Sequence, residues 1–322
     1  MNMELYGTLG PSCARAETLG RMLDAGMTGA RLNLSHTGLK GAAKYIEALF
    51  EAGRIRGLNP ELLIDTQGPE LRTGALERPL ELAPGETVRL GAGGVPLPET
   101  VLARLEPGME LLLDDARLSL EVVDRSRAKV LRGGVLGSRK GITLEGPEIE
   151  TEPLTAADRE NLKAASSWGV TAVMQSFTRS ASDIAAVRSA LGGQDIRIFA
   201  KVESKSGVAA LPELLPVSDM IVIARGDLGS AYGLYALPVL QKDIAERCRT
   251  SGVPFMAVTQ LLYSMQENPL PTRAEVSDIF NAVLDGASAL MLTNETAAGK
   301  YPAEAMEALK KAAEAALAYM NT

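Results

Sequence analysis

The 322-residue sequence contains one histidine, one tryptophan and two cysteines. A disulfide scaffold, a cysteine-rich zinc site and any site built on paired histidines are excluded. A Ser-His-Asp triad would have to run through His36 alone. Any catalysis must come from carboxylates, Lys, Arg, Thr or Ser, and a hard metal ion is the expected helper. Positive charge is also short: 33 Lys and Arg stand against 40 Asp and Glu, for a net charge of −7. That balance argues against a nucleic-acid binder. No window approaches the roughly 18 uninterrupted apolar residues of a membrane span, so no membrane association is expected. Met1-Asn2-Met3-Glu4 opens no secretory signal. Cys13 and Cys248 form no C-x-x-C pair. Two reduced thiols in a cytoplasmic protein are the expectation.

What is present is a rhythm. Short apolar runs at 5–8, 30–34, 62–64, 172–174, 196–200, 220–224, 254–258 and 289–292 alternate with helical stretches. The helices are expected near 14–25, 40–53, 156–168, 182–191, 206–214, 238–249, 273–284 and 302–320. Apolar runs separated by helices of such length indicate βα units and a parallel sheet. Eight units suggest an α/β fold, a closed (β/α)8 TIM barrel, over the competing open doubly wound sheet.

Between residues 74 and 153 the rhythm breaks. Short runs at 80–82, 87–90, 111–113, 118–123 and 128–131 are punctuated by Pro-Gly, Gly-Gly and Asp-Asp pairs. Such spacing indicates a small all-β domain inserted after the third strand. The remainder, 1–73 and 154–322, is close to the ~250 residues of a typical barrel.

In a barrel, function gathers at the C-terminal strand ends. Those ends read Thr8; Arg31, Asn33 and Ser35; Asp65 and Thr66; Gln175 and Ser176; Lys201 and Glu203; Arg225 and Asp227; Thr259 and Gln260; Thr293 and Glu295. Strand alternation sends Lys201 and Glu203 to one side, as a plain ion pair or as part of a site. Gly226 allows close backbone approach to an anionic oxygen. Asp227 beside Glu203 would suit Mg²⁺, while Gly226-Asp227-Leu228-Gly229 also reads as a simple turn. Asn33, Ser35, Asp65 and Thr66 offer only oxygens, either to a hard monovalent cation or to a hydrogen-bonded network. From Arg125 to Lys140 there are basic residues and no acidic ones. Residues 133–141 would form a flexible basic loop suited to phosphates, or the stretch is a solvated hairpin face.

Taken in order, several motifs resemble the pyruvate kinase family over essentially the whole chain. They include Arg31-Leu32-Asn33-Leu34-Ser35-His36, Asp65-Thr66-Gln67-Gly68-Pro69-Glu70, Ser176-Phe177-Thr178-Arg179 and Ala200-Lys201-Val202-Glu203. Ala224-Arg225-Gly226-Asp227-Leu228-Gly229, Thr259-Gln260-Leu261-Leu262 and Glu295-Thr296-Ala297-Ala298-Gly299 belong with them, as do Thr8-Leu9-Gly10-Pro11-Ser12, Gly137-Ser138-Arg139-Lys140-Gly141 and Pro271-Thr272-Arg273-Ala274-Glu275.

The resemblance implies phosphoryl transfer from phosphoenolpyruvate to ADP, giving pyruvate and ATP. By matched position, Arg31 and Lys201 would bind the transferring group, and Lys201 would stabilise the enolate. Glu203 and Asp227 would hold Mg²⁺ or Mn²⁺. The N–H groups around Gly226 and Asp227, with the Thr259 hydroxyl, would hold the substrate carboxylate. Asn33, Ser35, Asp65 and Thr66 would hold K⁺. His36, Arg72 and Lys140 would face the nucleotide phosphates, and Thr259 and Thr293 would serve protonation of the enolate.

The sequence departs from the family at Thr37, Gln67, Ser230-Ala231-Tyr232 and Thr293-Asn294. Two other readings stand beside this one: a metal-dependent lyase or aldolase acting on pyruvate enolate, and a non-catalytic regulatory paralogue. The resemblance also leads to the expectation of a homodimer through barrel helices and of no C-terminal effector domain.

Overall fold

Strands that are buried on both faces need near-continuous apolar sequence, and Met220-Ile221-Val222-Ile223-Ala224 is buried throughout. In the computed structural model, which describes residues 3–114, 116–144 and 151–321, eight such strands close into a parallel barrel. They are Glu4–Thr8, Gly29–Asn33, Glu61–Asp65, Ala172–Gln175, Arg197–Val202, Met220–Ala224, Phe255–Val258 and Ala289–Met291. Each pairs with its neighbour in this order, and the eighth closes on the first through Tyr6↔Met291. The register sets Thr8 opposite Arg31, and both Asn33 and Met174 opposite Asp65.

Tyr6, Leu63, Met174, Phe199, Met220, Val222, Met256 and Met291 fill the barrel. Methionine is well suited to the irregular gaps of such an interior. The surrounding helices are amphipathic. Pro302–Met320 starts with proline at its first turn and buries Ala305, Met306, Leu309, Ala312, Ala313 and Ala316 at helical spacing. Among the described residues, no helix is long and apolar enough to cross a membrane.

At the N-terminal ends of the strands a charged cluster closes the barrel. The Tyr6 hydroxyl bonds Glu61 and, at 2.8 Å, Glu4. Arg197 pairs with Glu61 at 2.5 Å and Glu4 at 3.4 Å, and its guanidinium lies 5.0 Å from the Phe199 ring centroid.

The chain forms two compact units. The barrel unit comprises Met1–Gly68, Pro153–Gly229 and Leu234–Thr322, and the second is built on Pro69–Glu152. The second unit has its own core, with Leu82, Val95, Leu111, Leu113, Leu120, Val130 and Leu136 buried. Five strands, Thr87–Arg89, Glu110–Leu113, Leu118–Asp124, Arg127–Arg132 and Ile142–Leu144, form one antiparallel sheet. Leu80–Leu82 pairs with Gly134–Leu136 in another.

Three local readings change. Residues 133–141 are not one flexible loop, because Gly134–Leu136 is hydrogen-bonded into that second sheet. Residues 225–229 are no turn; they begin the helix Arg225–Tyr232 directly from the sixth strand. The helix expected at 206–214 divides into Lys205–Ala209 and Leu211–Leu214, with Pro212 in the first turn of the latter. Pro212 has no N–H to continue the earlier helix.

Candidate active site

The C-terminal strand ends converge on Asp65, whose side chain is 2% exposed. Arg31, from the adjacent strand, donates to Asp65 Oδ2 through Nε at 2.9 Å and Nη2 at 2.5 Å. Lys201 Nζ lies 3.3 Å from Asp65 Oδ1 and 3.2 Å from Glu203 Oε2. The alternation that sends Lys201 and Glu203 to one side therefore makes an ion pair, within a larger cluster.

Ser176 ties this cluster together. Its hydroxyl lies 2.9 Å from Asp65 Oδ1 and 2.7 Å from the Thr66 carbonyl, and it accepts from Lys201 Nζ at 3.1 Å. Its N–H donates to the Thr66 hydroxyl at 3.1 Å.

The charges are fixed by their neighbours. Burial alone would drive the Asp65 carboxyl upward, but Lys201 and Arg31 outweigh it and hold the group below the usual carboxylate range. Burial likewise disfavours the Lys201 ammonium. The carboxylates of Asp65, Glu203 and Asp227 overcome both that penalty and repulsion from Arg31, so the ammonium is held above the usual lysine range.

Glu203 Oε1 accepts the Phe177 N–H at 2.6 Å. Its buried Oε2 has no hydrogen-bond donor, although Lys201 sits within ion-pair range. Asp227 lies in the first turn of Arg225–Tyr232. A buried carboxylate oxygen left without a donor, a second carboxylate in the first turn after the next strand and no imidazole together fit a hard divalent ion. Among the described residues no group of three or more His, Cys, Asp or Glu could hold a metal. Mg²⁺ held by two carboxylates would keep water and substrate oxygens in the rest of its shell. Asn33, Ser35, Asp65 and Thr66 form an oxygen-only set on two adjacent strand ends, which suits a monovalent cation in its donor chemistry. Asn33 Oδ1 accepts the Ser35 N–H at 3.0 Å.

Three non-glycine residues at these strand ends have left-handed backbone: Phe177 at φ 49°, Thr259 at 78° and Gln260 at 54°. For β-branched Thr259 this is strained. Buried Arg225 holds it, donating to the Thr259 carbonyl at 2.6 Å and to the Val258 carbonyl at 3.2 Å while pairing with Asp278 at 2.7 Å. Arg225 thus braces the rim instead of lining it. A Cβ on Gly226 would lie 3.2 Å from Thr259 Cγ2, so the glycine lets the start of the helix approach Thr259 closely. Thr293 donates to Glu295 Oε2 through its N–H at 2.8 Å and its hydroxyl at 3.1 Å.

Of the remaining sequence-derived candidates, His36 directly follows Ser35. The His36 N–H donates to the Asn33 carbonyl at 3.3 Å. Arg72 and Lys140 belong to the second unit. Arg72 pairs with Glu70 at 2.5 Å and donates to the Arg139 carbonyl at 2.9 Å; Lys140 pairs with Asp114 at 2.7 Å. Ser176, Arg225 and Glu295 gained no role from the sequence alone. The signal for Ser176 was its place directly after a buried strand, inside a motif already singled out.

The family model for the pyruvate kinase barrel domain matches residues 2–306. Pyruvate kinase of Aeropyrum pernix is 41% identical over 96% of this chain and 69% of its own length. Pyruvate kinase of Geobacillus stearothermophilus is 37% identical, covering 95% of this chain and 55% of the relative. Human pyruvate kinase PKLR is 39% identical, covering 97% and 60%. The chain therefore spans between 55% and 69% of the length of these relatives.

Proposed function

Because this chain belongs to the pyruvate kinase family, we propose that it transfers the phosphoryl group of phosphoenolpyruvate to ADP. The observation that carries this reading is Lys201, a buried ammonium held protonated among Asp65, Glu203 and Asp227, with Arg31 beside it. Phosphoryl transfer needs positioning and charge neutralisation more than a strong base.

In this reading Arg31 and Lys201 bind the phosphoryl oxygens. The enol-phosphate P–O bond breaks as a terminal ADP oxygen bonds to phosphorus. Lys201 stabilises the enolate oxygen left behind. The N–H groups of Gly226 and Asp227, with the Thr259 hydroxyl, hold the substrate carboxylate. Thr259 and Thr293 serve the delivery of a proton to the enolate carbon, Thr293 being oriented by Glu295. Glu203 and Asp227 hold Mg²⁺ or Mn²⁺, which supplies charge neutralisation at the transferring group. Asn33, Ser35, Asp65 and Thr66 hold K⁺. His36, Arg72 and Lys140 face the nucleotide phosphates, with residues 74–153 acting as a lid domain and 1–73 with 154–322 as the catalytic barrel.

The protein works in the cytoplasm in this reading, without nucleic acid or membrane. It pairs through its barrel helices, a proposal supported by the exposed apolar side chains of Leu234, Tyr235 and Val239. A lactate-dehydrogenase-coupled assay with phosphoenolpyruvate, ADP, Mg²⁺ and K⁺ tests the activity. Turnover dependent on both cations is expected. No pyruvate at high enzyme concentration, equal to a Lys201→Met blank, would overturn it.

A further inference from the structure

The helix that follows the inserted unit, Ala156–Ala164, does more than cap itself. Its N-cap is a capping box: Thr155 Oγ1 accepts the Asp158 N–H at 3.0 Å, and Asp158 accepts the Thr155 N–H at 3.0 Å. That exchange satisfies the helix end. Asp158, 1% exposed, nevertheless takes further donors from another strand end. Its Oδ1 accepts the Gln67 N–H at 2.8 Å, and its Oδ2 accepts the Gly68 N–H at 3.1 Å and the Thr155 hydroxyl at 2.8 Å.

One turn on, Asn161 repeats the arrangement. Its Nδ2 donates to the Ala157 carbonyl of its own helix at 2.8 Å, which fixes the amide. Its Oδ1 accepts the Leu39 N–H at 2.9 Å. Residues three apart share a helix face, so this one face grips two loops, 67–68 after Thr66 and 37–39 after His36.

The 67–68 loop is held from its other side as well. Gly68 has φ 61°, and a Cβ there would lie 2.9 Å from Ser176 Cβ. Ser176 in turn bonds Asp65 and Thr66. Asp158 and Ser176 thus clamp the segment 65–68 between them, and the Asp65 carboxylate is the partner of both Arg31 and Lys201.

The geometry points to Asp158 and Asn161 as positioning residues: Asp158 sets the Asp65–Thr66 strand end for Arg31, Lys201 and a monovalent cation, and Asn161 sets the loop that follows His36. This rests on the phosphoryl-transfer reading for its kinetic consequences, though not for its structural ones. Asp158→Asn keeps the size of the side chain but replaces one acceptor oxygen with an NH₂ group that opposes N–H donors. Thr272→Ala opens the other capping box, at the helix Arg273–Leu284, where Thr272 and Glu275 bond each other and not Asp158, and so reports a merely structural loss.

The test is hydrogen exchange at the Gln67, Gly68 and Leu39 amides, combined with K⁺ titration of turnover in the full chain. In Asp158→Asn, faster exchange at Gln67 and Gly68 and at least a tenfold rise in half-saturating K⁺ are expected. In Thr272→Ala neither should change, even with a lowered melting temperature. Unchanged exchange and K⁺ dependence in Asp158→Asn, or equal effects in Thr272→Ala, would overturn the assignment.

If Asp158→Asn does not fold, Asn161→Ala decides. Faster exchange at Leu39 with at least a threefold higher KM for ADP supports the assignment, and no change in either sinks it. If the wild-type chain shows no turnover, the phosphoryl-transfer reading fails. Exchange at Gln67 and Gly68 then settles the positioning alone: faster in Asp158→Asn supports it, and unchanged refutes it.

Discussion

The barrel carries a charged cluster at each end, and the two are assembled from similar groups. At the N-terminal end Arg197 faces Glu4 and Glu61 with the Tyr6 hydroxyl between them. At the C-terminal end Arg31 and Lys201 face Asp65 and Glu203 with the Ser176 hydroxyl between them. The first cluster is about one-third exposed at each of its charged groups, 36% for Arg197, 34% for Glu4 and 32% for Glu61. The second is nearly buried, at 12% for Arg31 and Lys201 and 2% or less for the carboxylates.

Satisfaction differs too. The C-terminal end leaves Glu203 Oε2 and Gln175 Oε1 buried without a donor, and left-handed backbone surrounds it at Phe177, Thr259 and Gln260, strained at Thr259. None of the N-terminal groups is left in that state. Polar groups that are fully paired hold a fold together. Buried oxygens that still lack a hydrogen-bond donor, beside backbone in a strained conformation, are where a ligand has something to satisfy.

The comparison can be broken most forcefully by exchanging the cation at each end. Lys201→Met should lower kcat by about 10³-fold or more, on the order of 4 kcal/mol of transition-state stabilisation. Arg197→Met should leave kcat within about threefold and lower stability by only about 1 kcal/mol, since ion pairs one-third exposed are screened. The coupled assay and a denaturant melt read these two changes side by side. Equal kinetic losses at both ends would erase the distinction.

Thr259→Gly should separate strain from activity. Removing a β-branched residue at positive φ relieves strain on the order of 1 kcal/mol. Thermal stability should hold or rise while kcat falls by about 10²-fold with the lost hydroxyl. A melting temperature that drops with kcat would show that the backbone at Thr259 is not strained.

Tyr6→Phe should cost about 1 kcal/mol through the lost hydroxyl bonds and leave KM for phosphoenolpyruvate unchanged. A shift in that KM would couple the two ends through the barrel interior.

The smallest effect is with pH. Asp65 is held below its ordinary value of 3.8, so its stabilising contribution is present above that value and lost as pH falls through the lower folded one. Lys201 is held above its ordinary 10.5, so its contribution is complete below 10.5 and lost only as pH climbs through the higher folded value. Between about pH 5 and 9 neither group changes charge, and the kcat profile should carry no step from either. A step that disappears in Asp65→Asn would contradict this.

The barrel was legible because strands buried on both faces must be written as apolar runs, and each run announces its own end with a polar residue. Lys201, Glu203, Arg31 and Asp65 followed from that rule. Arg225 shows where the rule stops. It ends a strand like the others, yet the next residue begins a helix, and its guanidinium turns to Asp278 and two carbonyls. Nothing in a one-dimensional pattern carries that direction. Asp158 was hidden for another reason: a capping box explains an acidic residue in a first helical turn completely, so its bonds to Gln67 and Gly68 leave no trace in the sequence. In the second unit, Gly134–Leu136 and Ile142–Leu144 are each three residues long, too short for alternation to be seen.

One arrangement bears on how such a chain could be rebuilt. The barrel's chain departs at Gly68, whose N–H is fastened to Asp158, and resumes at Pro153, whose carbonyl accepts from Gln175 Nε2 at 2.9 Å. Both fastenings are made by the barrel's own residues. The break in the barrel is therefore a docking port with its sockets already wired, and another β module could be spliced across it while the scaffold keeps its own closure.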